Sequence, residues 1–472
     1  MDNKIKCGIE IHQQLDTHKL FCDCPSLLRN DEPKFEIMRK LHAVAGESGE
    51  VDAAAKHEAS LDREFIYQGY DTTCLVELDE EPPHLINQEA LKIALQIALF
   101  LNCEIVPVTQ IMRKTVVDGS NTSGFQRTLL IARNGYIETE YGRVRISGIN
   151  LEEDAARIVE KKEGKAVYRL DRLGIPLIEI GTEPDITSPE QAKEVALFIG
   201  DVLRSCKVKR GIGTIRQDVN VSIENHPRVE IKGFQDVKMF VPVIENEVIR
   251  QQENIKNRKA KSEVRNANEN GTSSFLRPMP GSARMYPETD LPLLYIKRDL
   301  INEIKATLPK LRSEIRGELR GRGLSEEMIK LLDVEKLPIF ESLLKLINDA
   351  NFIGKVLLLL PKEIASHEKI EDIDSVLTHD IIESVVRAVV LNRITREDVK
   401  MVLTEIAKGK SFDEAIKIEK VNLHDVAGEI AKIVAEKPGL SIGGYMGLIM
   451  QKFHGKVSGK DATDILNKLL RK

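Results

Sequence analysis

Residues 7–15, CGIEIHQQL, set a carboxylate and an imidazole two positions apart inside an apolar run. Side chains of an extended strand alternate faces, so Ile9 and Ile11 point one way and Glu10 and His12 the other. One face is core. The other carries two groups able to bind a metal or move a proton. Two readings are open: an edge strand with a solvated polar face, the rule for half-buried strands, or a strand at a functional site. The rest of the chain has to decide.

At 472 residues the chain is long enough for roughly two to four domains. Hydrophobic residues at 42% and charged residues at 30% describe an ordinary globular protein rather than a disordered one. A net charge of −5 argues against bulk, nonspecific nucleic-acid binding but leaves room for a local basic surface. The longest apolar run, VLLLLP at residues 356–361, falls far short of a membrane span. The opening MDNKIKCGIEIH lacks the apolar core of a signal peptide. Six cysteines without a leader point to the reducing cytoplasm. Tryptophan is absent and aromatics are few, so base-stacking platforms are scarce.

The chain changes character near residue 295. Before it, VRISGI, PLIEIGT, TIRQDVNVSI and RVEIKGF read as strands. NQEALKIALQIALFL and SPEQAKEVALFIGDVL read as amphipathic helices, the second with Ser188 as N-cap and Pro189 in the first turn. After it, RDLINEIKATLPKLRSEIRGELRGRG, PIFESLLKLINDA and HDIIESVVRAVVL all carry helical spacing. The fold class expected is α+β: a mixed α/β domain over residues 1–295, an all-α domain over 296–400 and a helical tail over 401–472. Residues 251–275, QQENIKNRKAKSEVRNANENGTSSF, read as a helix end followed by a linker.

Standard catalytic motifs are missing. Gly409-Lys410-Ser411 has the second half of a P-loop, but position 404 is Thr. H-E-x-x-H and G-x-S-x-G do not occur. Gly211 and Gly213 precede a strand rather than a helix, as a tight turn or a phosphate nest. Cys22 and Cys24 form a C-x-C pair with Cys74 and His84 as available partners, either a zinc site or ordinary reduced thiols. Carboxylates are the richer signal. Glu152, Glu153 and Asp154 follow a strand, Arg216, Asp218 and Asn220 share one strand face, and Glu230 and Lys232 share another. Such groups are either structural ion pairs or a cation site, because clustered like charges repel unless neutralised. Mg²⁺ takes a few carboxylates and keeps waters for phosphate ligands. Carboxylates beside Lys and Arg therefore suit nucleotide phosphate chemistry.

GIEIHQQL, FCDCPS, CLVELDEEPPH, DGSNTSGFQRT, LEEDAARI, LDRLGIPLIEIGTEPDITSPEQA, GTIRQDVNVSI, RVEIKG and ARMYPETDLP occur in that order. Together they resemble the cradle domain of the B/E family of tRNA-dependent amidotransferases. NTSGFQRT and RMYPETD favour the archaeal E type over the bacterial B type. The tail GGYMGLIMQKFHGKVSGKDATDILNKLL is similar to the family's terminal helical module. The E type usually carries an extra domain, similar to part of a bacterial aspartyl-tRNA synthetase, before ARMYPETD. Here only residues 251–275 stand in that place.

The resemblance implies a ligase that uses ATP and Mg²⁺ to phosphorylate the glutamate of mischarged Glu-tRNA(Gln), after which ammonia displaces the phosphate. It implies Glu10, His12, Glu152 or Glu153, Asp218 and Glu230 as catalytic residues, with Glu10, His12, Glu153, Asp218 and Glu230 as metal ligands. Arg216 and Lys232 would meet phosphate, and Ser123, Gly124 and Gln126 the substrate. The implied partners are Glu-tRNA(Gln) and an asparaginase-like amidotransferase chain of the D type, as a heterotetramer with two copies of each chain and no membrane. Zinc at Cys22, Cys24 and Cys74 does not carry over cleanly, since the C-x-x-C of the B type is missing. Lys452, Lys456 and Lys460 lie near Gly443, Gly444 and Gly447, which permit close backbone approach. The tail is either a solvated helical face or a phosphate-docking surface for tRNA. The competing function is a noncatalytic tRNA-binding scaffold.

Overall fold

The structure, a computed structural model, describes residues 4–42, 49, 60, 62–162, 164–279, 285–332, 336–417, 423–453 and 459–470. Two compact units span residues 1–312 and 313–472. The first unit runs β1 (Lys6–Gln14), β2 (Phe35–Arg39), β3 (Glu64–Gly69), α1 (Gln88–Phe100), β4 (Glu104–Ile105), β5 (Val108–Thr109), β6 (Met112–Thr115), β7 (Phe125–Thr139), β8 (Gly142–Glu153), β9 (Arg157–Lys162), β10 (Lys165–Arg169) and β11 (Pro176–Thr182). It continues with α2 (Pro189–Ser205), β12 (Ile215–Ser222), β13 (Val229–Lys232), α3 (Phe240–Lys256), β14 (Glu263–Ala267), β15 (Ser273–Pro278), β16 (Met285–Pro287), β17 (Leu294–Tyr295) and α4 (Arg298–Ala306).

The main sheet has the order β15-β14-β13-β12-β1-β11-β8-β7-β6-β16, with β4 also on β7. The stretch that opened the sequence is β1. It is central, not an edge, and pairs antiparallel with β11 and β12. Its Ile9 and Ile11 join Ile149, Ile178, Ile180, Val219 and Val221 in one core. Helices α1, α2 and α3 cover that face with Ile93, Ile97, Ala196, Ile199, Phe240 and Ile244. Asn87 caps α1 through the Glu89 and Ala90 N–H groups. Ser188 caps α2 through the Gln191 N–H, with Pro189 in the first turn. These local signals are legible because caps are set by neighbours in sequence.

The helix end expected at the start of residues 251–275 is there, since α3 closes at Lys256. The linker expected after it is corrected: that part holds β14 and most of β15. β14 lies parallel to β13 and antiparallel to β15, and Val264 is fully buried. Its charged residues are absorbed in a network in which Arg250 and Arg265 meet Glu247 and Glu263. A strand whose polar side chains are paired within the fold has the composition of a loop. A second sheet has the order β2-β3-β10-β9.

In the second unit, Phe340, Ile353, Val385, Val402 and Leu403 share a core that runs from Leu319 to Ala415. A separate cluster, with Val426, Ile430, Tyr445, Ile449 and Leu466, holds the last three helices. Among the described residues no helix is long and apolar enough to cross a membrane.

Candidate active site

The face of the main sheet opposite the helices carries the candidate site, and strand register assembles it. Glu10 stands opposite Asp218 on β12, and His12 opposite Glu179 on β11. Glu179 in turn stands opposite Asn150 on β8, with Glu152 two residues further on. His12 Nε2 lies 3.5 Å from Glu10 Oε1, 3.6 Å from Glu152 Oε1 and 3.5 Å from Glu179 Oε2. Ligand atoms of Glu10, His12 and Asp218 lie within 4.8 Å of one another, as do those of His12, Glu152 and Glu179. His12 belongs to both groups. Gly181, opposite Glu10, and Gly148 beside it leave β11 and β8 without side chains there. A Cβ on Gly181 would come within 2.9 Å of the Ser147 hydroxyl, so the floor of the site is kept shallow.

Two lysines balance the acids. Lys232 Nζ is 2.6 Å from both Asp218 and Glu230. Lys114 Nζ is 3.5 Å from Glu152 and 3.7 Å from Glu179. Burial and the neighbouring Glu179 charge push Glu10 above the usual carboxylate range. Burial also pushes Glu152 up to about 7, against the pull of Lys114. Glu179 moves the other way: burial opposes its charge, but the hydrogen bond with His12 and the charge of Lys114 hold it down to about 2. Burial disfavours a charged His12, yet its hydrogen bond to Glu179 and three carboxylate charges raise the imidazole above its ordinary value. Among the described residues Glu152 Oε2 is buried without a hydrogen-bond partner, and its ion-pair partner is the Lys114 ammonium, at 3.5 Å. Oxygen-rich acids with one imidazole and an unsatisfied oxygen suit a hard divalent cation.

The other expected site residues have different partners. Glu153 follows Glu152 on β8 and so faces away from His12. Its carboxylate meets Arg127 at 3.4 Å, and Arg127 also meets Glu288 at 2.8 Å. Glu153 thus lies apart from the His12 group, because adjacent strand residues do not share a face. Glu230 is on the site face but engages Lys232 rather than His12. Gln126 lies opposite Lys114 and donates to the Glu153 carbonyl at 2.7 Å. Gly124 has φ +75° in the turn before β7. The Ser123 hydroxyl donates to the Phe125 carbonyl and lines a small enclosed cavity with Lys19, Thr122, Arg127 and Glu153. Arg216 reaches Asp154 at 2.9 Å. In the tail, Lys452 is paired with Glu429 at 2.6 Å. Lys456 and the side chain of Lys460 lie outside the described residues.

Glu179 is a site residue that the sequence reading misses. Its signal is present, since Ile178-Glu179-Ile180 repeats the pattern of Ile9-Glu10-Ile11. Lys114 has no comparable signal. The four-residue strand that carries it reads as Met-Arg-Lys-Thr, and pairing with β7 and β16 makes it a strand.

A second group lies at the start of the chain. Cys22, Cys24, Cys74 and Glu77 bring ligand atoms within 4.8 Å of one another. The fourth member is Glu77 rather than His84, which points to Glu81 at 3.5 Å. Thiol hydrogen bonds from Cys22 and then Cys24 pull Cys74 down to about 3. The fully buried Lys19 ammonium contacts Glu77 and donates to the Leu170 carbonyl at 3.0 Å.

The chain is similar to known proteins. Residues 5–302 match the model of the GatB/GatE catalytic domain. A protein of Methanocaldococcus jannaschii, named as the E-type chain of glutamyl-tRNA(Gln) amidotransferase, is 36% identical, covering 99% of this chain and 98% of its own. Its alignment extends over 627 positions, more than the 472 residues here, so it has residues without a counterpart in this chain. Proteins of the same name from Archaeoglobus fulgidus and Thermococcus sibiricus are 36% and 33% identical, over 99% and 98% of this chain.

Proposed function

The chain belongs to the GatB/GatE family, and on that premise we propose that it is the activating subunit of a tRNA-dependent amidotransferase. It takes Glu-tRNA(Gln) and transfers the γ-phosphoryl of ATP to the glutamyl side-chain carboxylate. Ammonia then displaces phosphate from the acyl carbon, giving Gln-tRNA(Gln), ADP and phosphate. The observation that carries this reading is the meeting of His12 with carboxylates from Glu10, Glu152 and Glu179 on three adjacent strands.

Phosphoryl transfer needs positioning and charge neutralisation more than it needs a protein nucleophile. Glu10, His12, Asp218, Glu152 and Glu179 would hold Mg²⁺, which neutralises phosphate oxygens when bound. Lys232 and Arg216 add fixed positive charge on the same face. Phosphate and γ-carboxylate can approach over the shallow floor at Gly148 and Gly181. The thiols outside the Cys22 group are poor nucleophiles: burial pushes Cys7, Cys103 and Cys206 up to about 12. On this reading ammonia comes from a partner, an asparaginase-like chain of the D type paired with this chain two to two in the cytoplasm, as the family resemblance implies. The tail that contains Lys452 is the further contact with tRNA. The Cys22, Cys24, Cys74 and Glu77 group fits zinc, with three soft sulfurs and one carboxylate at tetrahedral count.

The test is ADP release from ATP by the full chain with ammonium chloride, with and without Mg²⁺ and with charged or uncharged tRNA(Gln). Release that needs both Mg²⁺ and the glutamyl group supports activation. Tight tRNA binding without ADP release would instead leave a scaffold.

A further inference from the structure

We infer that Asp154, held by Gln14, is a positioning residue that sets the Arg216 guanidinium as the anchor for an oxyanion of the reacting group, an inference that rests on the activation reading above. Gln14 is the next residue after Glu10 and His12 on the site face of β1. Arg216 stands directly opposite His12 across the β1–β12 pair. Asp154, the first residue beyond β8, sits between them and is 1% exposed.

Every contact of this carboxylate fixes it. Oδ2 accepts from Gln14 Nε2 at 2.6 Å. Oδ1 accepts from Arg216 Nη2 at 2.9 Å and from the Ala155 N–H at 2.9 Å. Arg172 Nε approaches Oδ2 at 3.8 Å. A buried carboxylate is costly unless its lone pairs are used. With both oxygens held, Asp154 cannot turn, and it grips the guanidinium through a single nitrogen.

The rest of Arg216 is left open. Its side chain is 45% exposed, and among the described residues its hydrogen bond to Asp154 is the only one the guanidinium makes. The other cations on this face are committed: Lys232 to Asp218 and Glu230, Lys114 to Glu152 and Glu179. Arginine presents a planar fork that matches a carboxylate or phosphate edge, and fixing one end orients the rest. The shared ligand chemistry is an oxyanion, from either the glutamyl carboxylate or a phosphoryl group of ATP.

The test uses the full chain with ammonium chloride and compares Arg216→Ala, Asp154→Asn, Gln14→Met and the Asp154→Asn/Arg216→Ala double variant. KM and kcat for ADP formation are read for Glu-tRNA(Gln), and MgATP binding is read by calorimetry without tRNA. Asp154→Asn should weaken use of the anchored ligand by up to about a hundredfold. The double variant should be no worse than Arg216→Ala, since residues acting as one unit are not additive. A raised KM for Glu-tRNA(Gln) alone assigns the carboxylate, and weaker MgATP binding assigns the phosphate; either supports the anchor. If Asp154→Asn does not fold, Gln14→Met carries the same test by freeing Oδ2. Variants that match an active wild type overturn the inference alone. So do losses that add in the double variant together with a lower melting temperature, the mark of a mere strut. A wild-type chain that makes no ADP sinks the activation reading as well.

Discussion

His12 Nε2 stands 3.5 Å from Glu179 Oε2, because the β1–β11 register sets the two residues directly opposite one another. They lie 167 positions apart in sequence and on neighbouring strands in space. Through this pair the imidazole is held among three acids, and the chemistry proposed for the chain depends on it.

Removing Glu179 or Glu152 should separate activity from stability. Glu179→Gln and Glu152→Gln keep shape and remove one charge from a cation site. ADP formation with Glu-tRNA(Gln) should fall by about a hundredfold or more. At pH 5 and below, melting should stay close to wild type for Glu152→Gln, because burial keeps Glu152 in its neutral form there. Near-normal ADP release by both variants would remove these residues from the site.

The same cluster makes stability depend on pH. With Mg²⁺ chelated, Glu152 is raised to about 7 from its ordinary 4.5, so it favours the fold below pH 4.5 and loses that contribution as pH rises to 7. His12, also raised, favours the fold below its usual 6.5 and loses the contribution as pH climbs past its higher folded value. Glu179, lowered to about 2, contributes above its ordinary range and loses this only as pH falls through 2. Denaturation midpoints should therefore decline between pH 5 and 8, and Glu152→Gln should flatten that decline. The difference should be on the order of 1–3 kcal/mol. Parallel curves for wild type and variant would contradict it.

Glu288 is an anchor rather than a catalyst. Its carboxylate is fully buried between Arg113 and Arg127, and ties the β16 segment to β6 and β7. Burial opposes its charge, but Arg113, the Asp290 N–H and Arg127 bring it below the usual carboxylate range. Glu288→Gln should cost about 3 kcal/mol in urea denaturation at pH 7, as expected when a buried charge loses its partner. The cost should shrink as pH falls below the ordinary carboxylate range, where the native carboxylate is protonated too. An unchanged midpoint at pH 7 would show that the two arginines are satisfied without it.

The thiol group should hold about one zinc per chain. Cys74→Ser should lose the metal, Glu77→Gln should bind it more weakly, and His84→Ala should match wild type. Metal analysis of purified protein, with a colorimetric chelator assay for release, reads all three. Zinc-free protein in which Cys22, Cys24 and Cys74 all react freely with a thiol reagent would mean that they are ordinary reduced cysteines.

Sequence by itself determined what short range controls. Alternation of apolar and polar residues identified β1, β11, β12 and β13 and put Glu10 with His12 and Asp218 with Arg216 on shared faces, because a strand's side-chain period is local. The cap at Ser188 and the change to helices near residue 295 were legible for the same reason. Only the tertiary structure decided which strands are neighbours. Register brought Glu179 and Glu152 to His12, and Arg127 to Glu153. It made strands of the polar β14 and β15, where Glu263 and Arg265 of β14 pair with Arg250 and Glu247 of α3. It also gave the C-x-C pair Glu77 rather than His84. These outcomes depend on contacts between residues tens to hundreds of positions apart, whose free energy exists only once the chain has closed those loops.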